Sequence, residues 1–158
     1  MRRNTSRLLV APIATALTLC ACGHAGAGRP PALSNVPLVD GARIVSSAQQ
    51  CDRGSNPYCA LELVVVDPGF RSSGDLLISE HLRLRAAGWT STGGDTGQEL
   101  AANSPAAPLR LTYSTALGDL RGADLGWIQR SRKTVLALSR ILFDRAPAIS
   151  LMLESSST

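Results

Sequence analysis

"ALELVVVD", residues 60–67, is the stretch on which the fold turns. In an extended chain Leu61, Leu63 and Val65 face one way and Glu62, Val64 and Val66 the other, and both sets are largely apolar and β-branched. A strand wetted on one side alternates apolar with polar residues, whereas a nearly continuous apolar run marks an inner strand. Residues 60–67 are therefore expected inside a sheet, paired along both edges.

Working upstream, "ARIVSSAQQ" (42–50) reads as a first strand. Between the two strands, Cys51 and Cys59 flank "DRGSNPY", whose Gly54 and Asn56-Pro57 are turn residues. That connection predicts an antiparallel hairpin closed by a Cys51–Cys59 disulfide, since disulfides persist outside the reducing cytosol. A closed loop of this length is worth about 2.5 kcal/mol in the chain-entropy account. A metal-binding pair is the alternative, but no second cysteine pair and no suitably spaced histidines complete a zinc site.

Downstream, "DPGFRSSGDLLISEHLRLRAAGW" (67–89) carries a turn, a Ser72 or Ser73 cap, an acidic first turn at Asp75 and a left-handed terminator at Gly88. The apolar spacing puts Leu77, Ile78, His81 and Leu84 on one side of the helix. Residues 90–108, "TSTGGDTGQELAANSPAAP", are polar and turn-rich and read as a mobile or ligand-facing loop, with a short strand possible at its start. "LRLTYST" (109–115) alternates as a half-buried strand. Three glycines in 116–126 leave room only for a short or irregular helix. From about Ser131 to Ala146 the stripe Val135, Leu138, Ile141 and Leu142 predicts a helix stopped by Pro147, and "AISLMLE" (148–154) a last strand. The expected class is α+β: a two-layer sandwich, its mixed or antiparallel sheet of about four to five strands carrying two main helices on one face.

The front of the chain has a different character. Arg2, Arg3 and Arg7 precede the apolar run Leu8–Leu19, and small residues follow at Ala21 and Gly23, the order of an export signal. About 12 apolar residues rise about 18 Å as a helix, short of the about 30 Å of a bilayer core. Leu19-Cys20-Ala21-Cys22 resembles the lipobox of bacterial lipoprotein signal peptides, with an aliphatic residue three before the cysteine and a small one directly before it. The resemblance implies cleavage after Ala21 and a diacylglyceryl group on Cys22. Cys20, preceded by bulky Leu19, would leave with the signal. An ordinary secretory signal is the alternative. The implied organisation is a signal peptide at 1–21, a lipid-anchored Gly/Ala/Pro-rich tether at 22–37, one domain at 38–154 and a polar tail at 155–158.

Cleavage also changes the charge. The net +4 counts sixteen basic against twelve acidic residues, but Arg2, Arg3 and Arg7 lie before the cut and no acidic residue does, leaving 13 against 12. That balance gives no reason to expect nucleic-acid binding. Arginine so outnumbers lysine, represented by Lys133 alone, that a high-GC, actinobacterial source fits.

No catalytic motif stands out. His24 lies in the tether; His81 sits on an apolar helix side, as a core or rim histidine would, although it could serve as a general base or metal ligand with Glu80 or a loop carboxylate. "GGDTG" (93–97) lacks the spacing and lysine of a phosphate loop, so Asp95 is at most ligand-facing. Asp119 and Asp124 read as surface residues, and no serine sits in a nucleophile elbow. Trp127 and Phe70, beside loops, are the aromatics placed to face a ligand, while Trp89 and Tyr113 read as core. "RSRK" (130–133) opposes a helix dipole and reads as a solvated end, paired with carboxylates or meeting anionic head groups or an acidic envelope polymer.

The expectation is a cell-membrane lipoprotein on the extracytoplasmic face, non-enzymatic, without cofactor or metal, that binds an envelope protein, glycan or lipid. The alternatives are a small-ligand pocket under residues 90–108 and an envelope hydrolase.

Overall fold

The computed structural model describes residues 30–52, 58–94, 97–105, 108–116, 129–137 and 139–155. The expected first hairpin is present: β1 (Arg43–Cys51) pairs antiparallel with β2 (Cys59–Val66), Cys51 opposite Cys59, and the two are joined by a disulfide. Every residue of β2 is buried, as its double-faced apolar pattern requires. Its other edge is taken by β6 (Ala148–Ser155), antiparallel, with Leu63 opposite Leu151.

The sheet continues through β5 (Leu109–Ser114), β4 (Glu99–Asn103) and β3 (Thr90–Gly93) to give the order β1-β2-β6-β5-β4-β3, antiparallel throughout. Six strands replace the expected four to five because most of 90–108 is a hairpin and not an irregular loop. β4 is "ELAAN", whose residues disfavour strands, yet the β5 ladder and the burial of Ala101 and Ala102 hold it extended. Gly94 and Gly97, which flank residues outside the description, both take positive φ. A Cβ at Gly94, φ +146°, would stand 2.4 Å from the Glu99 carbonyl oxygen, so only glycine fits.

Helix α1 (Ser73–Ala86) starts and stops as its sequence dictates. Ser72 Oγ accepts the Asp75 N–H, and the C-terminus closes with Gly88 N–H on Arg85 O and Trp89 N–H on Leu84 O, Gly88 at φ +86°. These paired bonds are a Schellman close, and Trp89 and Leu84 pack together in the core as that motif favours. The buried residues are Leu76, Leu77, Glu80 and Leu84, spanning an arc of about 100° at about 100° per residue, with His81 about 40° past its edge. Ile78 is on the opposite side and exposed, which corrects the expected stripe. Leu76, Leu77 and Leu84 pack on Leu61, Leu63, Val65, Leu111, Tyr113, Ile149, Leu151 and Leu153; each buried leucine is worth about 1.5–3 kcal/mol.

The second expected helix is divided into α2 (Arg132–Ala137) and α3 (Arg140–Arg145), meeting at Ser139, whose N–H and Oγ both donate to Leu136 O. Nor does it share the face of α1. Ser46 stands opposite Val64 and so shares its face, and Ser46 Oγ lies 2.8 Å from Thr134 Oγ1; Glu62, on the same face, holds Arg130. The sheet is therefore covered on both sides, and the expected two-layer arrangement is corrected to three. Glu62, Val64 and Val66 needed cover as much as their neighbours did.

Packing also begins before Leu38. Leu33–Asn35 forms a 3-10 turn, and Val36 joins the core. No helix among the described residues is long and apolar enough to cross a membrane.

Candidate functional site

Three places on the fold hold the residues that could act. The first is the inner edge of α1. His81 Nδ1 lies 2.6 Å from the Tyr113 hydroxyl, with the two rings stacked at 6.2 Å between centroids. Burial, with Glu80 nearby, pushes the Tyr113 phenol up to about 12, so it stays protonated with its hydroxyl facing Nδ1. Glu80 turns away from His81: its Oε2 accepts the Val39 N–H at 3.0 Å, while Oε1 is buried without a partner. Burial raises Glu80 to about 7, against the lowering effects of the Val39 N–H and of Arg83. These contacts tie α1 to β5 and to the segment before β1. Among the described residues no group of three or more His, Cys, Asp and Glu side chains is arranged to hold a metal ion.

The other expected ligand-facing residues do not join His81. Phe70 is partly buried against the core, in a turn where its N–H donates to Asp67 O. Asp95 and Trp127 lie outside the described residues, as do Cys22, His24, Asp119 and Asp124.

The second place is a groove of about 300 Å³. Pro30, Pro31, Ala32 and Leu33 wall it, Ile44, Leu61 and Leu63 make it apolar, and Ser47 and Gln49 add polar groups. Gln49 Nε2 donates to Pro31 O and fixes the wall to β1. The groove lies at the β1 edge, the opposite edge of the sheet from the 90–108 hairpin under which a pocket was expected.

The third place is the outer surface of α2 and α3. The buried residue of α2 is Thr134, whose hydroxyl meets Ser46 and Ser131. Of the stripe expected to face the core, Val135 and Ile141 are exposed, Leu142 is half-buried and Leu138 lies outside the described residues; Leu136 is exposed as well. The contacts that hold residues 129–134 to the sheet are polar: the Thr134 hydroxyl, the Gln129 N–H donated to Gln50 Oε1, and Arg130 on Glu62, while Leu142 and Phe143 of α3 are half-buried. Arg132 and Lys133 are exposed, so of the "RSRK" cluster only Arg130 is engaged by a carboxylate in the interior.

The signal that would have separated these roles was present in Glu62, a carboxylate in the middle of an inner strand, which demands a buried cation. No family model, curated protein or solved structure matches this chain.

Proposed function

We propose that this protein is a lipid-anchored, non-enzymatic interaction domain of the cell envelope, held at the extracytoplasmic face of the membrane through Cys22. The observation that carries the interaction reading is the outward display of Val135 and Leu136 on α2, whose inner contacts are polar, and of Ile141 on α3. Exposed apolar side chains gathered on one surface, unlike singly scattered ones, mark an interaction site. The Leu19–Cys22 lipobox and the charge-balanced remainder of the chain support the anchored location.

The test is a photo-crosslinker at Leu136 of the full chain in cells, compared with one at Ser91 on the exposed β3 edge. Adducts of discrete envelope components at 136 and not at 91 support the reading; equal adducts at both sites, or none, contradict it.

A second reading, a small-ligand domain, is favoured by the groove beside β1. Binding that is lost in Ser47→Trp, which fills the groove from its exposed wall, and kept in Leu136→Ser would select it. The hydrolase alternative gains nothing from His81, which is engaged by Tyr113.

A further inference from the structure

Helix α2 is inverted with respect to an ordinary surface helix. At about 100° per residue its outward arc runs through Val135, Arg132, Leu136 and Lys133, opposite Thr134. Val135 is 55% exposed, Leu136 60% and Thr134 0%. On α3, Ile141 is 61% exposed, and Arg145 is exposed with Asp144 beside it. Among the side chains described within residues 132–145, the exposed charged ones are thus three cations, Arg132, Lys133 and Arg145, and one anion, Asp144. Apolar residues interleaved with cations on one outward surface are the pattern of a helix that rests in a head-group layer, its apolar side chains at the acyl boundary and its cations on lipid phosphates.

We propose that the outer surface of α2 and α3 docks on an anionic lipid bilayer, laying the domain down on the membrane. The occupant is argued from charge complementarity and from reach. The chain enters the described fold at Pro30, so a lipid on Cys22 leaves eight residues, 22–29, between membrane and domain. Fully extended they span at most about 28 Å. A domain kept that close meets lipid head groups more often than any dilute partner. The argument from reach rests on the lipid-anchored reading; the charge and apolar pattern does not.

The surface is tested apart from the anchor. The full chain carrying Cys22→Ala, which cannot be lipidated, is sedimented with vesicles of phosphatidylcholine alone and of phosphatidylcholine with phosphatidylglycerol. Since residues 1–21 also contain an apolar run, the readout is the difference made by Arg132→Gln/Lys133→Gln and by Val135→Ser/Leu136→Ser on the same background. The basic pair contributes about 25-fold to partitioning on the anionic vesicles, taking each cation near the surface at about fivefold, and the apolar pair about tenfold or more. The basic contribution fades in high salt and is missing on the neutral vesicles. All four positions are exposed, so unchanged melting curves certify that the variants fold.

A second measurement uses the lipidated chain in the same vesicles with an environment-sensitive dye on Leu136→Cys. Its emission shifts to the blue on anionic vesicles, and the same dye on Leu82→Cys of α1 does not shift. Equal partitioning of all variants, or equal dye response at both positions, overturns the proposal, as does crosslinking of residue 136 to an acidic protein in place of lipid. Failure of lipidation itself leaves the vesicle assay of the Cys22→Ala chain intact.

Discussion

Arg130 holds Glu62 in a fork, Nε on Oε2 at 2.5 Å and Nη2 on Oε1 at 2.6 Å, with 7% and 1% of the two side chains exposed. The pair joins the inner strand β2 to the segment that leads into α2. A bidentate charge-assisted contact of this kind fixes orientation as well as distance. It is the main polar fastening of the α2–α3 layer.

Removing one member strands the other charge in the interior. Arg130→Ala is expected to lower stability by about 3–5 kcal/mol, and the paired Glu62→Leu/Arg130→Met change to recover most of that loss. Urea unfolding of the three chains checks it; a double variant no better than Arg130→Ala contradicts the account.

Glu80 gives the pH dependence a definite sign. Its carboxyl is raised from 4.5 to about 7 in the fold, so between those values the folded chain keeps a proton the unfolded chain has lost. This stabilising contribution is full below about pH 4.5 and is lost as pH rises to about 7, a fall of about 3 kcal/mol. Glu80→Gln removes that slope while keeping an acceptor for the Val39 N–H. The measurement is the difference in unfolding free energy between the two chains from pH 4 to 8, and a flat difference contradicts it.

Tyr113→Phe deletes the hydroxyl facing His81 Nδ1 and is expected to cost about 1 kcal/mol. If His81 is a positioning contact between α1 and β5, His81→Gln costs about the same, and neither change affects vesicle partitioning. A tenfold loss of partitioning in either variant would move the functional surface to α1.

The β3–β4 turn distinguishes glycines by surroundings. Gly94→Ala meets the Glu99 backbone, whereas a Cβ at Gly97, φ +67°, meets nothing within 4 Å. Gly97→Ala is expected to cost about 1 kcal/mol, for the positive φ alone, and Gly94→Ala clearly more. Equal melting shifts would contradict the close approach.

How far the sequence could be read follows from which forces leave a local trace. β2 was legible because burial on both faces demands an unbroken apolar run, and α1 because Ser72, Asp75 and Gly88 act within a turn of themselves. The Cys51–Cys59 hairpin was legible from spacing and turn residues. β4 was not, since "ELAAN" is extended by its neighbour and not by its own preference. The helix at 131–146 was legible only in part for a related reason: Val135 and Ile141 of its apolar stripe face outward and Leu142 is half-buried, while its first turn is held by the hydroxyl of Thr134 and the Arg130–Glu62 pair, which no periodicity records.

Anchoring of the domain by a lipid on Cys22 is read from the intact mass of the mature chain. Purified from membranes of a host with lipoprotein processing, the wild-type chain is predicted to begin at Cys22 with a diacylglyceryl mass added, and Cys22→Ala to carry no such mass. A mature chain that begins elsewhere with an unmodified terminus would contradict the account.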